Sequence, residues 1–154
     1  MTHQPARAAA AVQPVDLRDY ASFHPDRPVR VRVLATEVLA VDLWCLQPRQ
    51  STGALLYEEA DVAYTVLGGN AWFVTDEGEL GLGPLGAILV TAGVAHGIDN
   101  RTADPLVVLA SASPPDVPAD AVSSDEPFEP TDGAVFRPGG RRGLPGRLRG
   151  LFGR

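Results

Sequence analysis

Turn-forming residues interrupt this chain before any apolar stretch can grow long. Between Val29 and Ala110 the interruptions are Gly68-Gly69-Asn70, Asp76-Glu77-Gly78, Gly83-Pro84 with Gly86, Gly93, and Asp99-Asn100. Glycine takes up the positive φ that tight turns need, proline withholds a backbone donor, and Asn and Asp bond their own main chain, so each cluster favours reversal over continuation. What lies between them is β-branched or aromatic: Val29 to Val33, Val38 to Leu46, Val62 to Leu67, Ala71 to Thr75, Ala87 to Val90 and Leu106 to Ala110. Val29-Arg30-Val31-Arg32-Val33 alternates apolar and charged residues with period two, as a strand with one wet face does. None of these segments sustains a 3.6-residue apolar period. The pattern predicts an all-β domain, an antiparallel sandwich or barrel, and excludes a parallel sheet wrapped in helices.

The chain has 154 residues, enough for one domain with its own core. Its single cysteine, Cys45, cannot form an internal disulfide and rules out a cysteine-based zinc cluster, and between Trp44 and Leu46 it reads as a buried, inert thiol. Thirteen basic against nineteen acidic residues leave a net charge of -6, which argues against sequence-specific nucleic-acid binding. Every basic residue is Arg; without Lys no Schiff-base chemistry is open to the chain. No stretch approaches the roughly eighteen apolar residues of a membrane span, and the weak run Ala8 to Val12 is no signal-peptide core, so a cytoplasmic protein is expected.

Three parts are expected: a disordered lead over residues 1–15, a β-barrel over residues 16–113, and a Pro- and Gly-rich tail over residues 114–154. The tail's six acids lie between Asp116 and Asp132 and its six Arg from Arg137 onward. In Arg141–Arg154, Leu144, Leu148, Leu151 and Phe152 fall at helical offsets among the Arg residues, a basic amphipathic pattern suited to a partner protein or an anionic surface. A solvated tail is the alternative.

From Gln47 to Asn100 the chain resembles the two signature motifs of a cupin, a small jelly-roll or double-stranded β-helix barrel. The first motif, Gly, five residues, His-x-His, three or four residues, Glu, six residues, Gly, falls on Arg49, Leu55, Tyr57, Asp61 and Gly68; only the last Gly is retained. The second, Gly, five residues, Pro-x-Gly, two residues, His, three residues, Asn, falls on Gly86, Thr91, Gly93, His96 and Asn100, with Thr in place of Pro and the first interval one residue short. The resemblance implies a cupin-like barrel whose motif positions converge on one interior cavity. In that family two His, a Glu and a further His hold a divalent metal. Here Leu55 has no donor atom and Tyr57 is a weak ligand, leaving His96 and Asp61 with Glu58 or Glu59 to supplement them. Neither a metal nor another cofactor is therefore expected.

The ligand-binding candidates are Tyr57, Asp61 and His96, and His96 is also the candidate acid or base because its pKa lies near neutrality. Each has a structural alternative. His96 could satisfy a backbone carbonyl, Asp61 could cap a turn, and Tyr57 could be a packing aromatic. Leu55 reads as a filler of the vacated ligand space, and Trp44, Trp72 and Phe73 as core; alternation keeps Trp72 and Phe73 from lining one pocket together. Three functions stay open. The first is a metal-free cupin binding a small organic ligand as a sensor, carrier or accessory domain. The second is an enzyme: an isomerase, cyclase or lyase using His96, or a metalloenzyme with atypical ligands. The third is a dimeric interaction protein whose tail contacts a partner. A homodimer paired through barrel faces is expected in each.

Overall fold

The computed structural model describes residues 12–120. Among these residues the chain forms a short 3-10 turn, Leu17–Asp19, and ten strands: β1 Val29–Ala35, β2 Ala40–Leu46, β3 Leu55–Leu56, β4 Asp61–Gly68, β5 Ala71–Thr75, β6 Gly78–Leu82, β7 Ala87–Val90, β8 His96–Asp99, β9 Leu106–Ser113 and β10 Ala119–Asp120. They make two five-stranded sheets, β1-β2-β9-β4-β7 and β10-β3-β8-β5-β6, with antiparallel neighbours throughout. The all-β jelly-roll expectation is met. No helix among the described residues is long and apolar enough to cross a membrane.

Period-two burial turns these strands into two facing layers. In β4, Val62, Tyr64 and Val66 are buried while Asp61 and Ala63 are exposed; in β9, Leu106, Val108, Ala110 and Ala112 point inward. With Trp44, Leu46, Leu55, Phe73, Leu80 and Ile98 they form one core between the sheets. Burial of that apolar surface drives the sheets together, at about 25 cal/mol for each Å² removed from water. The outer face of the first sheet is covered in part by the segment before β1, whose Leu17 and Ala21 line a recess with Leu43, Leu67 and Val107. Gln50 donates to the His24 carbonyl at 2.8 Å and ties this segment down.

Two turns show why glycine stands where it does. The motif alignment selected Gly68, but a Cβ there meets nothing within 4 Å. Gly69 is the constrained position: its φ is +82°, and a Cβ would run into the Pro105 carbonyl oxygen. Gly93, at φ +81°, turns the chain so that its amide donates to the Tyr57 carbonyl at 2.8 Å.

The boundary drawn after Ser113 falls short of where the strands end. Residues 114–118 carry the chain from the first sheet to the second, where Ala119 and Asp120 pair with Leu56 and Leu55. Arg32 fastens this crossing by donating to the Asp116 carbonyl at 2.8 Å. Residues 1–11, most of the expected lead, and residues 121–154, with the basic segment Arg141–Arg154, lie outside the described residues.

Candidate functional site

The motif residues arrive at the interior from different strands. His96 opens β8 between β3 and β5, opposite Leu55 on one side and Thr75 on the other, and is fully buried. Tyr57 follows β3 and is 1% exposed; its ring stacks with that of His96, 6.3 Å between centroids and 11° between planes. Tyr64 on β4 meets His96 edge-on at 5.3 Å. Tyr57 and His96 therefore share one interior, as the motif spacing implies.

Hydrogen bonding settles how His96 is protonated. Its Nδ1 lies 2.9 Å from the Val94 carbonyl, which can only accept, so Nδ1 carries the hydrogen. Burial lowers the pKa of the ring, favouring the neutral form. Nε2 then has a lone pair, and the Tyr64 hydroxyl donates to it at 2.6 Å. Burial also holds Tyr64 well above the usual phenol range and pushes Tyr57 up to about 12, aided by the charge of Asp42. Both hydroxyls thus keep their protons at neutral pH.

The remaining expected residues separate from this cluster. Asp61, exposed at the start of β4, accepts from the Ala92 amide at 2.9 Å and caps the turn before Gly93. It lies on the outward side of β4. Leu55 is 3% exposed and packs in the core. Phe73 faces inward, whereas Trp72 faces out, donating to Glu79 at 2.7 Å with the Arg101 guanidinium 5.0 Å from its ring centroid. Cys45 is buried, and burial raises its thiol pKa, in keeping with an inert role. Asn100 is a clamp: its side chain donates to the Leu46 and Asp104 carbonyls and accepts from the Thr102 amide.

Sequence reasoning missed an ionic group on the same inner face. Asp42, 2% exposed, lies beside Trp44 in the alternation of β2 and accepts from Arg30 at 2.9 Å and from Arg32 at 2.9 and 3.2 Å. The register pairs Arg30 with Trp44 and Arg32 with Asp42. The charged face of β1, expected to be wet, therefore turns toward the interior at the sheet edge. The Arg30 and Arg32 side chains keep 25% and 34% of their surface in solvent. The available signal was Asp42 itself, a carboxylate inside the apolar run Val38 to Leu46 that needs a cation nearby.

Two polar atoms at this place are poorly partnered. Trp44 Nε1 and the Tyr57 hydroxyl are both buried and neither completes a well-formed hydrogen bond, although Trp44 and Tyr64 both lie close enough to the Tyr57 hydroxyl to lower its pKa. Leaving a polar group so costs about 1–3 kcal/mol.

The positions that would hold the divalent metal of the resemblance do not fit one. Leu55 offers no donor, Asp61 is exposed on the outward side of β4 and engaged by the Ala92 amide, and both nitrogens of His96 are occupied. Among the described residues no three His, Cys, Asp or Glu side chains converge.

No protein-family model matches the sequence, and no curated protein matches it. Solved structures do. TT1209 from Thermus thermophilus is 29% identical, with a TM-score of 0.63 over 67% of this chain and 98% of that one. An RmlC-like cupin protein from Desulfovibrio desulfuricans is 19% identical, with a TM-score of 0.61 over 68% and 98%. The polyketide cyclase RemF from Streptomyces resistomycificus is 17% identical, with a TM-score of 0.56 over 66% and 76%.

Proposed function

We propose that this chain, which has the fold of the double-stranded β-helix and cupin structures it resembles and whose motif positions do not suit a metal, binds a small organic ligand between its sheets without one, as a sensor, carrier or accessory domain. The observation that carries this reading is the under-bonded buried pair, Trp44 Nε1 and the Tyr57 hydroxyl, close to each other and to Arg30 and Asp42. A bound molecule that hydrogen-bonds both would offset their desolvation, which an apolar core cannot do. Tyr57 and His96 belong to this site, whereas Asp61 caps a turn outside it.

Acid or base catalysis by His96 is the second reading. With Nε2 engaged, proton exchange with a ligand would run through the Tyr64 hydroxyl. A homodimer is also part of the proposal: Leu67 and Leu89 are exposed on the outer face of the first sheet, where a second copy would cover them.

Native mass spectrometry of the purified chain, paired with elemental analysis, tests the reading. A small-molecule adduct lost on denaturation, with no stoichiometric metal, is the expected result. Near one equivalent of iron, manganese, zinc or nickel would sink it, as would a high-resolution crystal structure in which ordered water alone bridges Trp44 and Tyr57.

A further inference from the structure

The outer face of the first sheet is only partly covered. On β2, β9, β4 and β7 its side chains are aliphatic or small and uncharged, apart from Asp61 at the start of β4. The segment before β1 lies over the β2 side. At its border a recess of about 230 Å³ opens among Leu17, Ala21, Leu43, Leu67 and Val107, and Leu67 keeps 37% of its surface in water. Arg18 also lines the recess, but it is paired with Asp16 at 2.7 Å, and with Asp19 this turn carries one net negative charge. The wider surface has the same sign. Residues 12–120 hold fifteen acids and six Arg, a net charge of -9. An apolar recess in so acidic a domain suits an apolar segment flanked by cations.

We propose that residues 141–154 of the same chain dock in this recess, with Leu148, Leu151 and Phe152 entering it and the Arg residues facing the acidic domain. Leu144, Leu148, Leu151 and Phe152 share one side of a helix, and residues 133–154 hold six Arg and no acid. Gly146, Gly150 and Gly153 disfavour that helix in isolation, so a surface has to supply its order. The segment can reach. Leu144 stands twenty-four residues beyond Asp120, where β10 ends. A chain of that length extends to about 80 Å, against about 30 Å across a domain of this size. Tethering presents the segment to its own domain at an effective concentration on the order of mM, which an external anionic surface would have to exceed while approaching an acidic domain. The recess lies at the Leu67 end of the face, so Leu89, opposite Ala63, stays open to a second copy. Once docked, the segment also holds Leu17 and Ala21 against the sheet.

A nitroxide attached at Gly153→Cys in the full chain reads the contact, since Cys45 is buried and does not take the label. In ¹⁵N-labelled protein the amides of Ala21, Leu67 and Val107 should lose more than half of their intensity to the nitroxide. Those of Trp72 and Leu80, on the strands of the other sheet farthest from β10, should keep theirs. An equal mixture of ¹⁵N-labelled chain without the nitroxide and unlabelled chain carrying it should show no loss, which assigns the contact to one molecule. Leu148→Ser combined with Leu151→Ser should restore the three amides and leave the rest of the spectrum unchanged. Equal loss at all five amides, or loss that survives the serine substitutions, would mean charge attraction without the recess and would overturn the proposal. Loss in the mixed sample would overturn it too, because a second copy would then supply the segment. No loss anywhere would also overturn it, leaving the segment to solvent or to an outside partner.

Discussion

Replacing Asp42 by Asn tests whether the inward-facing ionic group is part of the fold's stability. The carboxylate is 2% exposed and takes three charge-assisted bonds from two guanidinium groups. Asn keeps one acceptor oxygen, loses the charge, and turns an N–H donor toward donors. Removing one partner of a buried ion pair costs about 3–5 kcal/mol because it strands the other. Arg30 and Arg32 retain 25% and 34% of their side-chain surface in water, so part of the stranded charge can be solvated. The low end, about 3 kcal/mol, is the expected loss, a fall in thermal midpoint of about 10 °C or more for a domain of this size. Urea unfolding with linear extrapolation measures it. The triple variant Asp42→Leu, Arg30→Met, Arg32→Met should recover at least half of the loss, since apolar residues of similar volume avoid the unpaired charge. A loss below about 0.5 kcal/mol in Asp42→Asn would refute the reasoning. So would a triple variant no more stable than the single one, because stranded charge would then not be the cause.

The remaining predictions concern His96, the β4–β5 turn and the chain end. Because burial depresses the pKa of His96, the unfolded chain takes up its proton first; stability is full above about pH 6.5, falls as the pH drops below it, and His96→Gln should flatten that slope in urea midpoints measured from pH 8 to 5. Gly69→Ala, at positive φ against the Pro105 carbonyl, should cost about 2 kcal/mol or more, whereas Gly68→Ala should change thermal stability by less than about 0.5 kcal/mol. Truncation after Ser113 removes β10 and the Asp116 carbonyl, one of the acceptors of Arg32, so it should lower stability by about 1–2 kcal/mol relative to truncation after Asp120, read by calorimetry.

The strands most open to sequence reading were those with a full period between strong turns. Ala71–Thr75 and Ala87–Val90 have the expected ends, and Val62 to Leu67 lengthens by one residue on each side. Gly78–Leu82 escaped because Gly78 and Gly81 look like turn residues, although their strand pairs along all of β5. Leu55–Leu56 and Ala119–Asp120 are two residues each, too short to carry a period. In the site, the motif spacing brought Tyr57 and His96 together, but Tyr64 lay outside any motif. Arg30 and Arg32 show the limit of charge as a guide. Their alternation was legible, while the face they occupy depends on Asp42, ten and twelve residues away in sequence.

The same two arginines bear on how molecules of this chain meet one another. β1 is the edge of its sheet, and an edge strand leaves N–H and C=O groups open to a strand from another molecule. Here the register shifts between Arg32 and Leu34, and the strand carries charges on the inner face, where the side chains of an added strand would have to pack. Both features oppose the growth of a continuous intermolecular sheet. A descendant that exchanged Arg30 and Arg32 for apolar residues to admit a different ligand would lose half of that protection, and its first symptom would be aggregation rather than altered binding.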